Sequence, residues 1–274
     1  MQHSHAVEIT EGQRFEFGAN WARFLKVVSE SRIDQAVASL ATMLGVTDLK
    51  GKRFLDAGSG SGLFSLAARR LGATVHSIDY DPSSVACTQE LKRRYFPDDS
   101  EWTVEEASVL DRDYLARLGQ FDVVYSWGVL HHTGAMWQAI ENVSNLVMSC
   151  GYLFIAIYND QGWMSRYWAQ VKQTYVRVPW TRWPLIVLHI PYPFLTSFVV
   201  QGLTGRLGRE RGMSLWHDLI DWIGGYPYEV ARPEDIVRFL RDRGFTLSEL
   251  KTTRRLGCNE FVFRRVAAAS SAER

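Results

Sequence analysis

The stretch Asp56-Ala-Gly58-Ser-Gly60-Ser-Gly62 puts three glycines at alternate positions behind an acidic residue. That spacing lets the backbone take positive φ and approach a ligand closely. A helix that follows would turn its first N–H groups toward the same ligand. The dinucleotide fingerprint would need glycine where Leu63 stands, and a phosphate loop would need Gly-Lys-Ser/Thr, which the chain lacks. An acid ahead of the loop suits an ammonium group or a water molecule instead. Asp79 ends the next apolar run, where a carboxylate can accept both hydroxyls of a ribose. Tyr80 beside it offers a flat face to an adenine. His131 and His132 follow a further apolar run, and imidazole titrates near neutrality, so one of the pair can serve as general base for a hydroxyl. The same pair could instead cap a helix starting near Gly134. Tyr158-Asn159-Asp160 closes another apolar run, so Tyr158 and Asn159 are either acceptor contacts or members of a turn.

These groups need elements that bring them to one edge. Trp21, Phe24, Leu25, Val28, Ala36, Val37, Leu40 and Leu44 recur at helical spacing and predict a helix over 20–45, closed by Gly45. Strands are expected at 53–57, 74–79, 102–105, 121–126 and 152–158, and helices at 61–71, 83–95 and 136–148. Strands alternating with helices imply a parallel sheet covered on both faces. The alternation stops at 159 and resumes at Pro233, with a helix over 234–242, Gly244 behind it, and strands near 246–252 and 259–265. The reading is therefore an N-terminal helical cap over 1–49, a core over 50–158 and an inserted segment over 159–231. The last helix and hairpin of the core follow over 232–266, then a disordered tail over 267–274.

Leu55-Asp-Ala-Gly-Ser-Gly-Ser-Gly62, Ser77-Ile-Asp79 and Phe121-Asp-Val-Val-Tyr-Ser-Trp-Gly-Val-Leu-His-His-Thr133 together resemble the class I S-adenosylmethionine-dependent methyltransferases. The likeness is to the small-molecule branch that includes the ubiquinone-biosynthesis type O-methyltransferases. It covers residues 50–158 by motif and 232–265 by topology. It implies an α/β, Rossmann-like sheet of six parallel strands and one antiparallel strand, and S-adenosylmethionine as methyl donor, with S-adenosylhomocysteine as product. It also implies that Asp56, Gly58, Ser59, Gly60 and Gly62 line the methionine end of the cofactor and that Asp79 takes the ribose. Ser108 and Val109 would flank the adenine. Many relatives carry an aspartate near position 108, so here Ser108 or nearby Asp111 must read the adenine amino group. Tyr80, Ser126 and Trp127 are further cofactor contacts. Phe15-x-Phe17-Gly-Ala-Asn20-Trp21 reads as a segment folding over the cofactor, with Trp21 touching it.

The insertion carries six of the ten tryptophans within 161–222, and seven basic side chains against the single acid Glu210 within 161–212. No charged residue lies between Trp183 and Gly205. A membrane-crossing helix is excluded, because Pro191 and Pro193 would break it and one crossing would strand the last hairpin away from its sheet. Two readings stay open: a helical lid over the acceptor pocket, shared with a partner subunit in a homodimer, or a peripheral membrane contact through 180–211. Asp218, Asp221 and Trp222 fall on one helical face, and Asp221 and Trp222 are expected at the acceptor. His217 and Glu229 are candidate pocket groups that structural capping explains as well.

Composition narrows the field. The chain has 274 residues, is 46% apolar and 22% charged, and balances 31 basic against 30 acidic residues for a net charge of +1. Disordered, collagenous and multi-span classes are excluded, and no global charge draws it to DNA. Cys87, Cys150 and Cys258 are too far apart for a disulfide framework or a zinc site, so no metal is expected. Met1–Gly12 has no apolar signal region, which predicts a cytoplasmic protein, peripheral on the inner membrane face if the second reading of the insertion holds. Three functions stay open. The first is methylation of a small hydrophobic or amphipathic acceptor, lipid-like or anionic, at a hydroxyl. The second is RNA methylation, disfavoured by the balanced charge. The third is a non-catalytic cofactor-binding subunit of a membrane assembly.

Overall fold

The structure, a computed structural model, describes residues 5–15, 25, 28–189, 222–254 and 256–267. Trp21, all of 190–221 with His217, Asp218 and Asp221, and the tail from 268 lie outside the described residues. The elements are α1 (His5–Thr10), α2 (Glu30–Leu44), β1 (Arg53–Ala57), α3 (Leu63–Arg70), β2 (Thr74–Asp79), α4 (Pro82–Tyr95), β3 (Trp102–Glu106) and α5 (Arg112–Leu118). They continue with β4 (Phe121–Trp127), α6 (Met136–Asn145), β5 (Val147–Tyr158), α7 (Trp163–Arg177), α8 (Arg182–His189), α9 (Pro233–Arg241), β6 (Phe245–Lys251) and β7 (Cys258–Arg265).

The sheet runs β3-β2-β1-β4-β5-β7-β6. Strands β1 to β5 pair in parallel, and β7 is antiparallel to both β5 and β6, so six strands share one direction and one opposes it. Side chains alternate between faces along each strand. Phe54, Val75, Val123, Tyr125 and Phe154 pack against α2 and α3 through Ile33, Leu40, Leu44, Leu66 and Ala67. Leu55, Ile78, Val124, Leu153 and Ile155 pack against α6 and α9 through Ile140, Val143, Ile236 and Leu240. In the middle of the sheet both faces are buried, which is why β1, β4 and the second half of β5 read as near-continuous apolar runs, whereas β3 and β6 at the edges are mostly exposed.

Strand order reverses between β1 and β4, and ligands of open α/β sheets bind beyond the carboxyl ends at such a reversal. The glycine loop after β1 and the histidine loop after β4 flank that crevice. Beyond the end of β5 a third apolar cluster joins α7 and α8 to Ile223 and Tyr228, with Tyr158 and Trp222 against it. The stems of this insertion are sewn together. Ala231 N–H donates to the Tyr158 carbonyl at 3.0 Å, and Asp160 N–H donates to the Ala231 carbonyl at 3.2 Å.

Several boundaries differ from the sequence reading. The helix expected over 136–148 ends at Asn145, and β5 begins at Val147 rather than 152. The register against β4 shifts between Phe121 and Val123. Cys150 there takes φ 64°, and a Cβ on Gly151 would lie 2.8 Å from the Asp122 carbonyl oxygen. An irregular entry of that kind leaves no period to read. The helix expected over 20–45 starts at Glu30 where it is described. Helices α1 and α5 bury one residue each, His5 and Leu115, and so present no apolar stripe.

Candidate active site

The glycine loop is built by backbone. Gly58, Gly60 and Gly62 take φ of 90°, 54° and 79°, a region side chains disfavour. A Cβ on Gly58 would lie 2.4 Å from Val129 of the histidine loop, and one on Gly62 would lie 2.9 Å from Thr88 Cα. The loop is therefore pressed between α4 and the segment after β4. Ser59 Oγ meets Thr88 Oγ1 at 3.0 Å. Asp79 holds the open side: its carboxylate accepts Gly60 N–H at 2.8 Å and Asp81 N–H at 2.9 Å. Burial pushes the Asp79 carboxyl up to about 6, against the pull of these N–H donors.

Asp56 lies beneath the loop. Trp102 Nε1 donates to Ser77 Oγ at 2.9 Å, Ser77 Oγ lies 2.7 Å from Ser65 Oγ, and Ser65 Oγ donates to Asp56 Oδ2 at 2.5 Å. This chain of donors ends on a carboxyl that burial pushes up to about 7; Ser65 opposes the shift and the Asp79 charge adds to it.

The remaining sequence candidates divide. Ser126 is fully buried and donates to the Ala57 carbonyl at 2.6 Å, tying β4 to β1. Trp127 packs on the α2–α3 face of the sheet. Val109 packs in the α6–α9 core, and its carbonyl accepts from Asn142 at 2.9 Å. Ser108 stays partly exposed beyond β3, and its Oγ accepts Leu110 N–H at 3.1 Å. Asp111 caps α5 by accepting Tyr114 N–H at 3.0 Å. Asn159 is buried, and its amide donates to the Thr253 carbonyl at 3.0 Å. That bond fixes β5 to the β6–β7 connection instead of facing an acceptor. Glu229 accepts Met136 N–H at 3.0 Å and caps α6, the task the sequence left open for the histidines.

His131 and His132 are both buried, with ring centroids 4.5 Å apart. His132 Nδ1 lies 2.6 Å from the Pro227 carbonyl oxygen. A carbonyl can only accept, so Nδ1 carries the hydrogen and Nε2 is the basic nitrogen. Burial above all, opposed by the Pro227 hydrogen bond and joined by the Lys172 and Arg14 charges, lowers the His132 pKa to about 3. Burial first, then the neighbouring His132 and the Lys172 charge, push the His131 pKa well below the usual imidazole range. Neither of its ring nitrogens makes a well-formed hydrogen bond to a described residue; the Ala156 backbone is the one group that favours its charged form. The pair faces an aromatic wall. Tyr158 is 4.0 Å from His131, 5.2 Å from Tyr228 and 5.7 Å from Trp222, ring to ring. Lys172 Nζ, fully buried, lies 4.2 Å from the Trp222 ring and donates to the Trp222 carbonyl.

Sequence reasoning missed Lys172 and the N-terminal strap. Arg14 donates to Glu8 Oε2 at 2.7 Å and to the His132 carbonyl at 2.9 Å, and its guanidinium lies 5.1 Å from the Tyr80 ring. Tyr80 Oη in turn donates to Glu8 Oε1 at 3.2 Å. The strap thus reaches from the end of β2 to the histidine loop. The expected aromatic segment begins differently: Phe15 packs against Gly224 and Tyr175 of the insertion. An excess of charge in Glu8 and Arg14, without an apolar period, gave no signal beyond their presence.

Comparison with known proteins agrees with this geometry. A family model described as "Methyltransferase domain" matches residues 55–153. The tRNA U34 carboxymethyltransferase of Pseudomonas savastanoi pv. phaseolicola is 42% identical over 87 residues, covering 31% of this chain and 26% of that protein. The ubiquinone biosynthesis O-methyltransferase of Escherichia coli O139:H28 is 31% identical over 116 residues, covering 42% of this chain and 46% of that protein. The chain thus spans less than half the length of these curated relatives. The magnesium protoporphyrin IX methyltransferase of Synechocystis PCC 6803, solved with bound SAH, superimposes with a TM-score of 0.51 at 17% identity over 85% of this chain and 81% of that one. The shared fold is that of the S-adenosylmethionine-dependent methyltransferases.

Two outcomes follow from the buried acids. Asp79→Ala removes the anchor of Gly60 and should weaken S-adenosylmethionine binding about ten- to a hundredfold, the worth of a hydrogen bond to a charged group; calorimetry reading unchanged affinity would contradict the assignment. Asp56 titrates near 3.8 when unfolded and about 7 when folded. The folded chain holds the extra proton between those values, so this contribution is full below the lower one and is lost as pH rises through the upper one. Asp56→Asn, which keeps an acceptor for Ser65, should therefore be more stable than wild type at about pH 8, with the gain shrinking toward about pH 5. Urea midpoints across that range check it.

Proposed function

We propose that this class I S-adenosylmethionine-dependent methyltransferase methylates a hydroxyl on a small apolar or amphipathic acceptor, with His132 as general base. The observation that carries the reading is the fixed tautomer of His132. Its Nδ1–H is spent on Pro227, so the basic Nε2 belongs to a ring that is already oriented at the carboxyl edge of the sheet.

The loop suits the donor. Gly58, Gly60 and Gly62 form a cradle that a Cβ would fill or strain, Ser59 lies within it, and Asp79 stands where a ribose would lie. Tyr80 and Ser108 would face the adenine. When bound, S-adenosylmethionine supplies an electrophilic methyl carbon on sulfur. The acceptor oxygen forms its bond to that carbon as the carbon–sulfur bond breaks, and the hydroxyl proton passes to His132 Nε2. Most of the rate comes from holding the two reactants close and in line.

His132 is neutral at physiological pH because burial and two cations keep it so. A base this weak removes a proton best from an acidic hydroxyl, phenolic or enolic, rather than from an alkyl alcohol. Tyr158, Trp222 and Tyr228 supply flat apolar walls for such a ring, and α7 and α8 act as the lid that keeps water out. His131 also borders this space. Two orphaned nitrogens in a buried ring cost about 1–3 kcal/mol each unless something bonds them, and an acceptor oxygen would relieve that cost.

Methyl-labelled S-adenosylmethionine, the purified chain and an extract of the source cell test the reading directly. Label should enter the small-molecule or lipid fraction. Label in RNA would move the protein to a different acceptor class, one that the carboxymethyltransferase relative uses by its name. With a phenolic acceptor, His132→Ala should lower kcat about a hundredfold, the usual worth of a positioned base, while leaving cofactor affinity unchanged. A full kcat in that variant, or a larger loss in His131→Ala, would sink the assignment of the base.

A further inference from the structure

Helix α8 is apolar on two sides. Its inner side is seated on α7: Ile186 is buried in the insertion cluster, His189 Nε2 lies 2.7 Å from Tyr167 Oη, and the His189 ring is 5.0 Å from Trp168. Its outer side is Trp183, Pro184, Val187 and Leu188, which helical periodicity places on one continuous face. Trp183 is 66% exposed, Val187 62% and Leu188 68%, and Trp180 in the turn before the helix is 77% exposed. A helix apolar all round is ordinarily covered by something. On α7, Trp163 and Tyr167 are exposed as well. The charges around this face have one sign. Arg166, Arg177 and Arg182 are exposed, and residues 161–189 contain neither aspartate nor glutamate.

We propose that the outer face of α8, with Trp180 and the flanking arginines, docks on the surface of an anionic phospholipid bilayer. The chemistry matches that surface point by point: aliphatic and indole side chains enter the acyl boundary, indoles favour the interface, and guanidinium groups meet the phosphates. Helix α8 has eight residues, about 12 Å of length against a hydrocarbon core of about 30 Å, so it lies on the membrane instead of crossing it. No helix among the described residues is long and apolar enough to cross one. The sequence beyond α8 continues without a charged residue to Gly205 and then carries Arg206, Arg209 and Arg211 with the single acid Glu210, again apolar and then net basic. A second copy is a poorer occupant. A two-fold interface sets a patch against itself, and this patch would oppose arginine to arginine with no acid on 161–189 to pair them. RNA is poorer too: bases could stack on Trp180 and Trp183, but the aliphatic part of the face, Val187 and Leu188, would stay in water. The inference does not depend on the identity of the methyl acceptor.

The test uses the full chain and vesicles of phosphatidylcholine with or without phosphatidylglycerol. The chain should sediment with the phosphatidylglycerol vesicles, less so at high salt, and its tryptophan emission should shift to the blue. Leu188→Glu and Trp183→Ser, both at exposed positions, should each cut vesicle affinity about tenfold while circular dichroism and S-adenosylmethionine affinity stay at wild-type values. Failure to sediment with phosphatidylglycerol vesicles would overturn the proposal. So would undiminished vesicle binding by Leu188→Glu. A dimer that Leu188→Glu dissociates in ultracentrifugation, or RNA binding lost in the same variant without vesicle binding in wild type, would assign the face to another occupant.

Discussion

The Asp79 carboxylate between the glycine loop and the start of α4 is the constraint on which the rest of the site depends. One oxygen takes Gly60 N–H and the other takes Asp81 N–H, so two loops that leave neighbouring strands are held in one frame. Burial makes the charge costly and the N–H donors offset part of that cost. The loop can sit that close only because its glycines carry no Cβ. Asp56 beneath it is a second buried acid, fed by Ser65 and, through it, by Ser77 and Trp102. The floor of the crevice is thus electrostatically loaded before anything binds. A ligand with cationic sulfur and ammonium groups relieves that load, whereas a second anion would add to it.

Histidine chemistry is tuned from the opposite side. Lys172 enters from α7 and Arg14 from the strap, and both lower the basicity of His132. The acidic and basic halves of the cleft therefore belong to different parts of the chain. The sheet edge supplies the carboxylates, while the insertion and the N-terminus supply the cations. Arg14 also touches both halves, through Glu8 on Tyr80 and through the His132 carbonyl.

The middle of the sheet was legible in the sequence because both of its faces are buried there, so β1, β2 and β4 appear as apolar runs. The direction of β7 followed from topology. Asp79 stood out as an acid that ends a strand beside a glycine loop, and its carboxylate is found on the Gly60 and Asp81 N–H groups. The entry of β5 was illegible, since an irregular register with Cys150 at positive φ follows no period. Asn159 and Asp111 are found on backbone groups, and short polar side chains at element ends serve such groups as readily as ligands. Lys172 was hidden because a single cation on a helix of mixed face looks exposed until the aromatic rings that enclose it are assembled from Trp222 and Tyr228. Glu229 shows the reverse case, where the plain structural explanation, a helix cap, is what the fold uses.

The sewn stems of the insertion carry a consequence for how such a protein can diversify. Tyr158, Asp160 and Ala231 exchange backbone hydrogen bonds where the segment leaves the sheet and returns. A loop whose ends are already joined adds closure entropy only slowly as it lengthens. The segment between the stems can therefore be exchanged or rebuilt with little penalty to the sheet or to the glycine loop. One of those stems ends in Tyr158, against the histidines, and Glu229 N–H, two residues from the other, holds the His131 carbonyl at 2.9 Å. An exchange there changes what packs against the histidines while the glycine loop stays as it was. The architecture separates an inherited half from an exchangeable one, and the seam between them runs through the histidine pair.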